Sequence, residues 1–506
     1  MSGELNRKNE PAQKKRFVAN AFFSSLAWLM PLILGFVATP IVLKKLGDED
    51  YGLFSLILGF ISYSFTFGIG KAVTKYVAEY RNLNKNVEIS EIISATFWFS
   101  IILGFVAALA IVPFSTFIVA DVLQIADDMH DEAITGLYIA CATICFLMIG
   151  QVFQGVVQAL HRFDRSSLLI TVNGILLSLG NIALVGAGFR LNGLLVWNLA
   201  ATTVNSLLFY HSAKRFLPEF QINLRVRASI VKLIFKYGIG IIGYQIFGNI
   251  LLIFERSWIT RNLGADNLTY YVVPMSLAIY LHGLIGSLIL VVFPAFSELR
   301  AERARLLSLY VKATKIIFAL VVFLAVNLIC ASSIFLKIWI SEDFSGKSHR
   351  LLIVHVATFG LIALMSVMWQ LAEGLGHPRY NALTSFIWLI IAVPLMIFSI
   401  EYWQNLGVAM SRLIGVFVTF PLIFCGEKLF FGAIQRRLWL KLALNVVPAA
   451  GLTAFAEYQI FQRFQADLIT LIGGGIAGAF IYGLVLWKGN LFENREIIAL
   501  FDRKQN

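Results

Sequence analysis

The sequence predicts an all-α polytopic membrane protein with about 14 transmembrane helices. Three observations predict it. The 506 residues are 58% hydrophobic and only 14% charged, where an ordinary soluble domain carries about 25% charge. Apolar runs long enough to cross a bilayer core recur along the whole chain. The basic residues gather in alternate loops, as they do in polytopic membrane proteins.

The runs follow in order. Met1 to Arg16 is a short polar arm with five basic residues. The next run, 17–43, is too long for a signal-peptide core and lacks a clear cleavage site, so it is a retained first span. Charge-free or nearly charge-free stretches then cover 51–70, 92–120, 133–161, 166–189, 191–213, 237–254, 267–297, 316–336, 351–372, 380–400, 402–426, 442–456 and 468–487. Pro113, Pro274, Pro394 and Pro421 lie within runs and should kink them. Counted over the N-terminal arm and every second loop, 31 of the 41 Lys and Arg fall on one side. The segment Asp121 to Glu132 carries acidic residues and no Lys or Arg. Both termini are therefore expected in the cytoplasm. The net charge of +12 reflects this asymmetry rather than a nucleic-acid surface.

No GxxxxGK[ST] loop is present, so ATP hydrolysis by that route is not expected. Cys141, Cys145, Cys330 and Cys425 sit in apolar runs without metal-binding spacing, and are expected as free core thiols. No cofactor or metal is expected, and no catalytic constellation stands out.

A repeat organises the chain. Leu46-Gly47-Asp48-Glu49 aligns with Leu263-Gly264-Ala265-Asp266 at an offset of 217, and Gln158-Ala159-Leu160-His161 aligns with Glu373-Gly374-Leu375-Gly376 at 215. The first pair follows the first helix of each half and the second pair follows the fourth. An offset of six helices preserves orientation, so two parallel-repeat six-helix lobes are expected, related by an axis along the membrane normal. The expected division is a cytoplasmic arm at 1–16, an N-lobe at 17–213, a cytoplasmic linker at 214–236, a C-lobe at 237–426, and two C-terminal helices with a tail at 427–506.

The motifs LGDEDYGLFSLI, FGIGKAVTKYVAEY and QGVVQALHRFDRSSLL in the first half, with LIFKYGIGIIGYQIFGNILLIFERSWITRNLG and LILVVFPAFSEL in the second, resemble the polysaccharide transporter and O-antigen flippase family. That family lies within the multidrug/oligosaccharidyl-lipid/polysaccharide exporter superfamily. The resemblance covers most of 17–425. Many members have Asp before the basic residue that ends the seventh helix, where this chain has Glu255-Arg256. The resemblance implies a flippase that moves an undecaprenyl-diphosphate-linked oligosaccharide from the inner to the outer leaflet of a bacterial cytoplasmic membrane. The implied partners are the lipid-linked oligosaccharide, membrane lipids, a polysaccharide polymerase and a chain-length regulator, and no nucleic acid.

A diphosphate-linked glycan needs a hydrated, cationic path. Arg412 is the leading candidate. Ten residues after Tyr402, at about 1.5 Å each, it lies about 15 Å deep, where an arginine costs at least about 2.5–3.5 kcal/mol and needs a partner or water. A cavity cation and a structural arginine are both open readings. Gln245, Asn249 and Arg256 share one face of the seventh helix, and Arg256 is either a diphosphate ligand or an interfacial arginine that snorkels outward. Gln151, Gln154 and Gln158 form a second stripe, and Asn198 and Asn205 lie seven apart on the sixth helix. Amides suit sugar hydroxyls and equally serve as interhelical glue. Lys71 is a cytoplasmic anchor or a ligand. His282 is expected deep in the eighth helix as a hydrogen-bonded core residue or a proton relay.

Two functional alternatives remain at this level. A drug or organic-cation antiporter of the same superfamily would want acidic groups at membrane depth, and Asp and Glu are scarce in the runs above. A membrane-embedded glycan polymerase or ligase would want a sizeable external loop, and the loops here are short. A purely structural scaffold would not want polar stripes.

Overall fold

The computed structural model describes residues 30–63, 69–83, 85–289, 296 and 299–492, without the side chains of 235–245 and a few other positions. The described residues are helical with no strand. The first half contains α1 (residues 30–46), α2 (Asp48–Tyr63), α3 (Ile69–Asn82), α4 (Asn86–Ile111), α5 (His130–Ala159), α6 (Phe163–Gly186), α7 (Leu191–Phe216) and α8 (Ala228–Leu263). Then come α9 (Ala265–Ile289), α10 (Arg303–Cys330), α11 (Ser332–Trp339), α12 (Glu342–Gly374), α13 (Pro378–Thr419), α14 (Leu422–Phe431), α15 (Arg436–Arg463) and α16 (Leu468–Lys488). Ten helical segments among the described residues are long and apolar enough to cross a membrane, which makes this a multi-pass membrane protein.

Most runs read from the sequence are helices, with informative differences. The run 92–120 is not one helix. α4 ends at Ile111, and Pro113 opens a series of single turns that reaches Val122, because proline cannot donate to the preceding carbonyl. The run 442–456 is the middle of a 28-residue helix. The runs 380–400 and 402–426 are two helices that meet within α13 at one non-helical residue, Gln404, with φ 48 and ψ −135. The Gly407 α-carbon then lies so near Ser399 that a Cβ would meet the Ser399 carbonyl oxygen at 2.5 Å.

The chain divides into two compact units, up to Thr269 and from Tyr270 onward. In the first, α5 is central and packs on α3, α4 and α7. Small residues let the backbones close in, which is how helices associate without a hydrophobic drive between them. A Cβ on Gly155 would sit 2.6 Å from the Gly70 carbonyl oxygen, and Thr74 Oγ1 donates to the Gly155 carbonyl at 3.1 Å. A Cβ on Gly150 would sit 2.5 Å from Ser206 Oγ, which donates to the Phe146 carbonyl at 2.7 Å. In the second unit α12 is buried along most of its length and packs on α10, α11 and α13. The hairpin of α15 and α16 also packs on α10, where Tyr482 Oη donates to the Ala319 carbonyl at 2.8 Å.

The turns that carried the sequence repeat have matching backbones. Gly47 and Gly264 have φ 90 and 91, and His161 and Gly376 have φ 56 and 82, the left-handed region in which helices commonly close. Gly47 N–H donates to the Leu43 carbonyl and Gly264 N–H to the Thr260 carbonyl. Leu160, His161 and Arg162 donate to Val156, Gln158 and Val157. At an offset of 215, Leu375, Gly376 and His377 donate to Leu371, Glu373 and Ala372. The helices flanking this turn end at Ala159 and Gly374 and restart at Phe163 and Pro378. The side chains follow suit. Gln158 Nε2 donates to Ser166 Oγ at 3.3 Å, and Asn381 Nδ2 donates to Glu373 Oε1 at 3.3 Å.

The crossing of α3 and α5 yields a direct prediction. Gly155→Leu should force the two backbones apart and lower stability by about 1–3 kcal/mol, as overpacking does. Thermal unfolding of the purified protein in detergent would register this as a lower midpoint. An unchanged midpoint would mean that the crossing is looser than described.

Candidate functional site

Arg412 lies in the second half of α13 and is 2% exposed. Its guanidinium carbon stands 5.0 Å from the Phe359 ring centroid and 5.4 Å from that of Trp388. Nη1 is 3.9 Å from Met275 Sδ. Trp388 Nε1 donates to the Arg412 carbonyl at 3.3 Å. Ring faces attract a cation, and more strongly where water is absent. The box depends on Gly415, since a Cβ there would lie 2.5 Å from Trp388 Cδ1. Ser399 and Ser411 hydroxyls, 2.9 Å apart, tie the two halves of α13 together just beside it. His355 is fully buried in the same unit, edge-on to the Tyr271 ring at 4.6 Å, and among the described residues neither ring nitrogen has a hydrogen-bond partner. Arg412 is thus enclosed by protein.

Arg256 corrects an expectation. It does not snorkel to an interface but is 9% exposed, and its Nη1 donates to the Ser55 carbonyl on α2. Gly59 leaves room for it, because a Cβ there would stand 2.8 Å from Nη1. This arginine satisfies a backbone carbonyl in the first unit. The Gln245 side chain, on the same predicted stripe, lies outside the described residues, and Asn249 is half-buried.

Gln151, Gln154 and Gln158 are half-buried, whereas every residue between them is buried. The amide stripe is thus the accessible edge of an otherwise enclosed helix end. Asn198 acts as glue, donating to the Leu194 carbonyl at 2.8 Å and to Asn181 Oδ1 at 3.4 Å. Asn205 Oδ1 is buried without a hydrogen-bond partner. Lys71 is exposed. His282 is half-buried, 6.3 Å from the Phe359 ring.

Three carboxylates on the helices are buried, of which the sequence pointed only to Glu255, as the residue before Arg256. Glu255, Glu427 and Glu457 are each 0% exposed. Glu427 receives hydrogen bonds from Tyr310 Oη, Trp439 Nε1 and the Gln435 N–H, at 2.9, 2.9 and 2.8 Å. Glu457 faces Gly478, where a Cβ would lie 2.1 Å from its Oε1. The charge-free runs stop at 254, 426 and 456, in each case one residue before the glutamate. A charge therefore does not mark the end of a helix here. Cys425 also departs from expectation, being exposed rather than core. Among the described residues no three His, Cys, Asp or Glu side chains are grouped so as to hold a metal ion.

Span-length helices, glycine-mediated crossings and a cation sealed between aromatic rings define a polytopic helical membrane protein. A family model for polysaccharide biosynthesis proteins matches residues 17–300, more than half of the chain, and the chain belongs to that family. A putative O-antigen transporter of Shigella flexneri is 20% identical over 407 residues, spanning 78% of this chain and 93% of its own. The lipid II flippase MurJ in an inward closed conformation superposes with a TM-score of 0.69 at 14% identity, covering 94% of this chain and 99% of that one. An inward-facing multidrug resistance MATE transporter of the MOP superfamily gives 0.68 at 17% identity, covering 81% and 98%. The fold is that of the MOP-superfamily transporters.

Removing Arg256 should therefore affect folding rather than turnover. Arg256→Ala leaves the Ser55 carbonyl without this donor and should lower stability by about 1–3 kcal/mol. Reduced detergent-extracted yield with unchanged activity per folded molecule is the expected result. Normal yield with lost activity would instead return Arg256 to the list of substrate ligands.

Proposed function

We propose that this protein is a flippase, not an enzyme, and that it carries an undecaprenyl-diphosphate-linked oligosaccharide from the inner to the outer leaflet of the bacterial cytoplasmic membrane. The observation that carries this reading is the family match over 17–300. The O-antigen transporter relative and the flippase MurJ support it. The matched turns at offsets of 217 and 215 support two parallel six-helix lobes with two further C-terminal helices, fourteen spans in all. Both termini are then cytoplasmic, and alternating access proceeds by movement of one lobe against the other. A polysaccharide polymerase and a chain-length regulator are the proposed partners.

In this reading Arg412 serves the diphosphate. The guanidinium lies against the Phe359 and Trp388 rings, and its planar fork matches diphosphate oxygens. The amides of Gln151, Gln154, Gln158, Asn249 and Gln245 contact sugar, and Asn198, Asn205 and Lys71 contribute more weakly. The structure disfavours Arg256 for this role. MATE transporters share the fold, yet no observation at this site favours a drug substrate over a lipid-linked one.

Two experiments test these statements. Purified protein in vesicles, loaded with a lipid-linked oligosaccharide in one leaflet, should move it to the other. Arg412→Ala should insert at normal levels and lose about tenfold or more in rate, which corresponds to about 1.4 kcal/mol of barrier. Arg412→Lys should recover part of the rate, and Arg412→Glu none. Wild-type speed in Arg412→Ala at equal insertion removes Arg412 from the mechanism. For topology, reporter fusions at Asp127 and Arg503 should report outside and inside respectively. An external signal at Arg503 overturns the fourteen-span arrangement.

A further inference from the structure

The first unit contains a cationic cup that the sequence had assigned only to the charge asymmetry of the loops. It opens between the start of α6 and the end of α7, with a volume of about 530 Å³. Arg162, Arg165, His211 and Arg215 line it, and Asp164 is its one carboxylate. Its wall continues over Leu168, which lies on the same face of α6 as Arg165, and then over Thr171, nearly a turn further on. At about 1.5 Å per residue, Thr171 lies about 9 Å along the helix from Arg165. Leu168 is 49% exposed.

The arginines are arranged rather than merely present. Arg162 binds Asp164 by both ends of its fork, Nε to Oδ1 at 3.0 Å and Nη2 to Oδ2 at 2.9 Å. Its guanidinium carbon lies 4.2 Å over the Phe216 ring. The single aspartate is thereby taken by a single arginine, and the plane of that arginine is fixed. Arg165 is anchored through Nε to Ser212 Oγ at 3.3 Å. Among the described residues, neither Arg165 nor Arg215 has a carboxylate within ion-pair distance. Two cations therefore face a cup that continues into an apolar wall. Guanidinium forks match phosphate oxygens. An apolar wall beyond them has no use for a free phosphate and suits the chain of a lipid.

We infer that this cup binds the phosphate-bearing headgroup of a lipid, with Arg165 and Arg215 holding the phosphate and Leu168 and Thr171 bordering the first part of the chain. The chemistry is shared by an anionic phospholipid and by a polyprenyl diphosphate. The site does not depend on the flippase reading. With the proposed topology it lies at the inner leaflet, where it either holds a structural lipid or receives the substrate before translocation.

The full-length protein in detergent should be titrated with phosphatidylglycerol, undecaprenyl diphosphate, phosphatidylcholine and inorganic diphosphate. The readouts are thermal stabilisation and lipid retention in native mass spectrometry. Phosphatidylglycerol, undecaprenyl diphosphate or both should bind, and Arg165→Gln/Arg215→Gln should weaken that binding at least tenfold. Arg215→Gln alone removes an exposed side chain without an ion-pair partner, so it should fold normally and lose binding in part. Which lipid displaces the other identifies the source. Equal lipid binding by wild type and double variant overturns the site. So does inorganic diphosphate binding as tightly as the lipids, which would leave the apolar wall without a role. Failure of the flippase reading shows separately, as wild-type protein that binds lipid but does not move glycan.

Discussion

A bilayer core offers no water to a backbone group released from its helix. That constraint shows at the two matched turns, where the chain reverses within three residues and the last carbonyls are taken up by the next few N–H groups, around His161 and Gly376. The break at Gln404 follows the same economy, since one residue leaves the helical region and the hydroxyls of Ser399 and Ser411 bind across the reversal. The constraint also reaches the side chains. Arg256 is held where a carbonyl accepts from it, and Glu427 where three donors converge.

Charge at depth is handled in two ways. Glu427 is satisfied by directed hydrogen bonds, which fix it in one arrangement. Arg412 has rings and a thioether around it, contacts that attract a cation without demanding one orientation.

The helices were legible in the sequence because hydrophobic runs of bilayer length have few other uses. The repeat was legible because its turns require a left-handed residue, and glycine marks three of the four positions. The candidate site was only partly legible. The burial of Arg412 follows from its place within a run. The partners of Arg256 could not be read, because Ser55 and Gly59 lie about two hundred residues away and nothing local announces them. The burial of Glu255, Glu427 and Glu457 was not legible for a different reason: each sits just past an apolar run, and a helix that goes on beyond its last apolar residue carries the next charge inward. The arginine cup was hidden too, since Arg162, Arg165 and Arg215 come from two helices and converge only in three dimensions.

The matched turns have a consequence for what the halves can do. At the offset that aligns the turns, Gln151, Gln154 and Gln158 correspond to Ser366, Trp369 and Glu373. The corners agree in backbone while the faces beside them differ, one presenting amides and the other a hydroxyl, an indole and a carboxylate. A corner closed by its own backbone N–H groups asks nothing of the side chains next to it, so each face can carry its own chemistry without disturbing the turn.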